Sequence, residues 1–402
     1  MIDCFKCKKM GLFLGGVLFG TAGVKILGSD DAKKLYINCL AAGLRAKDCV
    51  MTTASNIQEN AEDILAEARE IYAAREKAAA FFGAGRAERT VFTSNATEAL
   101  NIAIEGAIKP GMHVITTEAE HNSVLRPLYR KARKGVKLTI VKADNKGRIL
   151  AEDIEKAICP ETSWLFCTHA SNVTGNLLPL VEIGKICRGK GVHLGVDVAQ
   201  SGGCIPIDMG KTGIELLCFT GHKGLLGPQG TGGLCVGQDI TLPPFKVGGS
   251  GIHSFEKEHP SIIPEALEAG TANGHSIAGL SAAFDFLKET KVENIQKHES
   301  CLMRIFYEQV EKIPGVTVYG DFEAEDRTAV VSLNIRDYDS KEMGDVLWRE
   351  YDIAVRAGVH CAPLIHRALG TEKQGTIRFS FSWFNTEEEA LQAAWAVKKL
   401  AF

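Results

Sequence analysis

Four stretches in the first two-thirds of the chain combine residue types that could do chemistry together. Each follows an apolar, β-prone run, so each falls where a strand ends. Ser94-Asn95-Ala96-Thr97-Glu98 would open a helix, and free N–H groups with small hydroxyls there make a cradle for an anion such as phosphate. Alone, the stretch reads as ordinary helix capping just as well. Asp197, with Gln200 three residues on, closes the run VHLGVD. A carboxylate in that position is costly to desolvate unless it caps a helix or meets a cation such as a protonated pyridine nitrogen. Thr220-Gly221-His222-Lys223-Gly224 ends the run IELLCF. Its glycines leave room for a bulky ligand, Thr220 and His222 can reach a phosphate, and desolvation would lower Lys223 toward a usable amine. His121, in Glu118-Ala119-Glu120-His121-Asn122-Ser123, can stack on a planar heterocycle and move protons, or stand as a plain surface histidine.

Two residues nearer the C-terminus carry a second kind of chemistry. Cys361 follows His360 and is bracketed by Gly358 and Pro363, a setting that could favour thiolate; the alternative is an inert thiol. Arg378, in TIRFSFSW, has the planar fork that clamps a carboxylate, unless it is a strand arginine in a surface ion pair.

These residues need a scaffold that brings strand ends to one edge. Short β-rich runs at 90–94, 112–116, 137–142, 163–168, 192–197, 214–219 and 232–236 alternate with helical patterns at 95–108, 123–134 and 150–158. That alternation predicts an α/β fold, a mostly parallel seven-stranded sheet flanked by helices. The last run follows its predecessor too closely for a crossover, so it is expected antiparallel at an edge. An amphipathic helix is expected from about residue 60 to Gly83, and an extended Gly/Pro/Ser-rich loop over 237–262. Beyond it, a long helix from 275 and strands near 316–320, 328–335 and 376–381 predict a smaller α+β domain, with Thr386 and Glu389 as a capping box for the last helix. The domains are expected at 1–66, 67–262 and 263–402, the last opening on a linking helix.

Composition narrows the function classes. With 46 basic against 49 acidic side chains the net charge is −3, which leaves no electrostatic footprint for nucleic acid. Twelve cysteines at irregular spacing, mostly in apolar runs, fit a reducing cytoplasm rather than a disulfide framework. Cys4-x-x-Cys7 is half a metal motif and reads as two incidental thiols, so no metal is expected. Residues 10–24, MGLFLGGVLFGTAGV, form an apolar run preceded by Lys6, Lys8 and Lys9. The run is short for a span; association with a membrane and a buried or self-associating helix both remain open.

The stretches FTSNATEALN, TEAEHNSVLRP, HASNVTGNLLP, VDVAQSGG, FTGHKGLLGPQGTGGL and LEAGTANGHSIAGL resemble the cysteine desulfurases, class V enzymes of pyridoxal-phosphate (PLP) fold type I. The resemblance runs from about residue 67 to the C-terminus. It implies that Ala96, Thr97, Thr220 and His222 bind the cofactor phosphate, that His121 stacks on the pyridine, and that Asp197 pairs with its nitrogen. It further implies that Gln200 and Asn172 contact the ring hydroxyl, Asn172 also the substrate, and that Lys223 carries the cofactor as an imine. Thr271, in Glu268-Ala269-Gly270-Thr271, would reach the phosphate of a neighbouring subunit, which implies a homodimer. Arg378 would hold the carboxylate of L-cysteine, and Cys361 would accept its sulfur as a persulfide for an acceptor protein, in iron–sulfur cluster assembly or a related route. Selenocysteine lyase or another class V enzyme is the alternative, and so is a catalytically impaired homologue. The family's opening Asp-Asn-Ala-Ala-Thr-like strand is absent; residues 1–66 resemble small glycine-rich, membrane-associated bacterial proteins instead.

Overall fold

The strands between residues 90 and 236 are apolar in continuous runs rather than in alternation, the pattern of a sheet covered on both faces. In the computed structural model, which describes residues 65–402, they form one seven-stranded sheet. The strands are β1 (Thr90–Thr93), β2 (His113–Thr117), β3 (Lys137–Val141), β4 (Thr162–Thr168), β5 (His193–Asp197), β6 (Leu216–Thr220) and β7 (Gly232–Val236), in the spatial order β1-β7-β6-β5-β4-β2-β3. Every pairing from β3 to β6 is parallel, and β7 is antiparallel to both β6 and β1. The expectation for β7 is thus right in direction and wrong in place. β1 shields it and takes the edge, because a strand in an early part of the chain returns to pair with the late one. The expected Cys4-x-x-Cys7 thiols, the run 10–24 and the first turn of the amphipathic helix lie outside the described residues.

Helices fill both faces. The helix Ala96–Ala107 is capped by Asn95, whose side chain accepts from the Glu98 N–H at 3.0 Å. Its apolar side, Leu100, Ala103 and Ile104, is buried with Leu216 and Leu234 of the sheet. On the other face Phe82, Leu165, Ile183, Leu217 and Phe219 share a core. The first turn of Ala96–Ala107 comes close to the sheet because Gly232 has no side chain; a Cβ there would lie 2.7 Å from the Asn95 backbone.

A second sheet, fully antiparallel, has the order β10-β11-β9-β8, from β8 (Val316–Tyr319), β9 (Val330–Ile335), β10 (Arg356–Gly358) and β11 (Thr376–Ser380). The helices Val292–Val310 and Glu387–Ala401 contribute Phe306 and Val397 to its core beside Leu333 and Ile377. Thr386 and Glu389 form the expected capping box. The three-residue strand β10 is absent from the sequence reading, since Arg-Ala-Gly is too short and too polar to show a period.

Eight cysteines in the described residues are free. Cys167, Cys187, Cys218 and Cys235 are buried in the sheet core, while Cys301 and Cys361 are exposed. Burial pushes the Cys187 and Cys235 thiols up to about 12 and holds Cys167, Cys204 and Cys218 well above the ordinary thiol value. Among the described residues no helix is long and apolar enough to cross a membrane.

Candidate active site

Parallel strands put their carboxyl ends on one edge, and the chemistry-bearing stretches all begin there. β5 ends at Asp197, paired across the sheet with Thr168 of β4 and Cys218 of β6. β6 ends at Thr220, three residues before Lys223. Together the strand ends line a cavity of about 150 Å³ that includes Ala96, Thr97, His121, Asn172, Asp197, Gln200, Thr220, His222 and Lys223.

Asp197 lies in the floor. It is buried, and its carboxylate accepts one hydrogen bond, from the Ala199 N–H at 2.9 Å. Desolvation raises its pKa, opposed by the Ala199 N–H and by the positive charge of Lys223. Lys223 reaches into the cavity, where its surface is accessible, yet protein encloses it laterally. That enclosure lowers its pKa; Asp197 pulls upward, and Arg378 and Arg356 push further down. The turn that carries it is tight: a Cβ on Gly203 would lie 2.0 Å from the Gly224 carbonyl, and Gly203 has φ +91°.

His121 caps the helix Asn122–Ala132. Its Nδ1 accepts from the Ser123 N–H at 3.1 Å, so the neutral ring carries its proton on Nε2. The Ser123 hydroxyl lies 2.9 Å from Nδ1 and 2.8 Å from the Thr97 hydroxyl, tying His121 to the start of the helix Ala96–Ala107. Burial and the charges of Lys223, Arg356, Arg126 and Arg378 bring the imidazole down to about 4. At the opposite side Thr220 Oγ1 and His222 Nδ1 are 3.0 Å apart. Ser123 had no place in the sequence reading; its signal was its position two residues after His121 at a helix start.

Arg378 and Cys361 come from the second sheet and stand at the rim rather than in the cavity lining. Arg378 Nη1 donates to the Asn172 carbonyl at 2.9 Å, and its buried Nε has no partner among the described residues. Burial, then Arg356, lowers the guanidinium to about 10. Arg356 faces Arg378 directly across the β10–β11 ladder. Like charges in register repel unless an anion bridges them, so the pair is suited to a carboxylate. Arg356 is the second residue that sequence reasoning missed, because its strand was missed.

Asn172 links cavity and rim: its Nδ2 donates to the His360 carbonyl at 2.7 Å, while its buried Oδ1 has no partner among the described residues. The Cys361 carbonyl accepts from the Asn122 N–H at 2.7 Å, and Arg356 Nη2 lies 3.9 Å from Cys361 Sγ. His360 and Cys361 both take the left-handed backbone region, with φ 51° and 57°. Two consecutive non-glycine residues there cost of order 1–3 kcal/mol each, strain typical of presented side chains. Thr271 lies apart, exposed in the loop before the helix Gly274–Thr290.

Comparison with known proteins agrees with this architecture. The model of the aminotransferase class-V family matches residues 32–392, reaching back before residue 67. A probable cysteine desulfurase of Methanothermobacter thermautotrophicus is 34% identical over 332 residues, 81% of this chain and 82% of the relative. Another from Mycolicibacterium paratuberculosis is 33% identical over 86% of this chain, which spans about half of that longer relative, 51%. The apo structure of a cysteine desulfurase from Thermococcus onnurineus superposes with a TM-score of 0.79 at 30% identity, covering 84% of this chain and 85% of that one. The chain therefore belongs to the aminotransferase class-V family and, within it, to the cysteine desulfurases, a family of PLP-dependent enzymes.

Proposed function

We propose that this chain converts L-cysteine to L-alanine and takes the sulfur onto Cys361 as a persulfide. The observation that supports this most is one cavity holding a buried carboxylate, Asp197, within electrostatic reach of an enclosed amine, Lys223.

The residues fit PLP. Asp197 has a single hydrogen bond and needs a cation that a pyridinium nitrogen would supply. The start of the helix Ala96–Ala107, with Thr97, Thr220 and His222, suits the phosphate. The unpartnered Asn172 Oδ1, with Gln200, would take the ring hydroxyl. When bound, the cofactor supplies an electron sink for charge developing at the substrate Cα.

The remaining steps belong to the chain. Arg378 holds the substrate carboxylate, with Arg356 opposite it completing the anion site. Lys223 anchors the cofactor and, once released, takes the Cα proton at Nζ; its lowered pKa keeps a share of it unprotonated. His121 packs on the ring and has a proton at Nε2 to hand on. The Cys361 thiolate then attacks the substrate sulfur: an S–S bond forms, the S–Cβ bond breaks, and its electron pair stays on Cβ, which gains a proton as alanine forms.

The persulfide passes to an acceptor protein in the cytoplasm, with iron–sulfur cluster assembly or a related route its destination. The active form is a homodimer in which the partner subunit's Thr271 reaches the phosphate, and residues 67–262 and 263–402 serve as large and small domains. Borohydride reduction of the PLP-treated protein, then tryptic mass spectrometry, should place a pyridoxyl label on Lys223. A label on another lysine, or on none, overturns the reading.

A further inference from the structure

We infer that His366, backed by Thr371, is a positioning residue for the thiol-bearing turn: through His360 it locks the backbone that presents Arg356 and Cys361. This rests on the reading of Cys361 as the sulfur-accepting thiol. The argument is one of hydrogen-bond direction. His360 Nε2 lies 3.1 Å from the Arg356 carbonyl, and a carbonyl only accepts, so Nε2 carries a proton. Burial holds both His360 and His366 near 4, so both rings are neutral at pH 7. His360 Nδ1 is then a lone pair, and it faces His366 Nε2 at 3.4 Å, which must be the donor. His366 Nδ1 in turn is a lone pair, and the Thr371 hydroxyl, 2.7 Å away, donates to it. The geometry agrees: the ring planes are 9° apart and their centroids 5.6 Å apart, close to the largest separation a 3.4 Å nitrogen contact allows. The rings therefore meet edge to edge at the two nitrogens.

Each ring nitrogen in this chain has one possible role, the Thr371 hydroxyl also reaching the His366 carbonyl at 3.4 Å, and the far end of the chain is a main-chain carbonyl. No proton can leave through a carbonyl, so the chain holds rather than shuttles. What it holds is the turn from Arg356 to Cys361, whose last two residues are left-handed. On its outer side that turn is bonded to Asn122 and Asn172 of the cavity edge. The imidazole pair fixes its inner side to the helix Pro363–Ala368, where His366 is fully buried. Without the pair the thiol loses one of its two anchorages.

The test uses the full chain loaded with PLP, in two variants. His366→Gln keeps an amide N–H where Nε2 stands; His366→Asn is too short to reach His360. His366→Asn should lower kcat for sulfide release about tenfold while KM for cysteine stays within about twofold, because misplacement by about an ångström acts on the chemical step. It should also change the rate at which iodoacetamide alkylates Cys361, and His366→Gln should restore both. Nitrogen-15 spectra of ring-labelled histidine should show His360 and His366 of the unsubstituted protein as neutral Nε2–H tautomers. A His360 with its proton on Nδ1, or His366→Asn with unchanged kcat and alkylation rate, overturns the inference. If His366→Asn does not fold, Thr371→Val takes its place; it removes the hydroxyl behind His366 and should change the alkylation rate of Cys361 while His366 keeps its Nε2–H tautomer, and an unchanged rate or a His366 proton moved to Nδ1 overturns the inference. A protein that releases no sulfide at all defeats the functional reading alone, since the ring spectra and the alkylation rate still decide whether His366 clamps the turn.

Discussion

The floor of the cavity and its rim are built on different principles. Asp197 ends a central strand with ladder partners on both sides, and Lys223 follows the neighbouring strand by three residues. Their chemistry is set by burial, which raises the acid and lowers the amine. Cys361 and Arg356 hang from a three-residue strand and two left-handed residues, and Cys361 is exposed. Their chemistry is set by backbone conformation. A sheet edge can hold a rigid group against a fixed charge, whereas a strained turn can aim a side chain at something that comes and goes.

Breaking the floor should cost most. Lys223→Arg keeps the charge but cannot act as a free amine, so turnover should fall about 10³-fold or more, with no borohydride-trapped label. Breaking the rim should cost sulfur chemistry alone: Cys361→Ala should lose sulfide release from cysteine and keep PLP uptake, read by visible absorbance. If Cys361→Ala also lost the cofactor, the division between floor and rim would be wrong. Gly232→Ala probes the floor through packing. Its methyl would meet the Asn95 backbone and lower stability by about 1–3 kcal/mol in urea unfolding, weakening PLP retention on dialysis.

The last effect concerns pH. Burial brings His169, at the edge of the same sheet, down to about 4 from its ordinary 6.5. Between those values the unfolded chain binds a proton that the folded one refuses, so stability is lost as pH falls from 6.5 toward 4. His169→Gln should flatten that slope by up to about 1.4 kcal/mol per pH unit. An unchanged slope would mean the site is wetter than its burial suggests.

The floor was legible in the sequence because each of its residues follows a strand that announces itself. Runs such as VHLGVD and IELLCF have no reading other than a buried strand, and every strand of the large sheet lies where the pattern places it. The rim was legible only residue by residue. Cys361 and Arg378 stood out by type, but the register that sets Arg356 opposite Arg378 depends on a pairing between segments some twenty residues apart. The place of β7 inside the sheet depends likewise on β1, more than a hundred residues earlier. Local pattern carries no information about such non-local pairings. His366 and Thr371 were invisible for the same reason, since their meaning lies in which nitrogen faces which.

The inward thiols have a consequence for where sulfur can go. Exchange between sulfur atoms proceeds through the ionised form of the attacking partner. Cys167, Cys187, Cys204, Cys218 and Cys235 are held in their protonated form by the apolar interior. Under the proposed function, a sulfane atom resting on Cys361 thus meets no competent relay among these five. Around these five the interior works as an insulator, and under that function the cargo departs toward an acceptor that docks from outside.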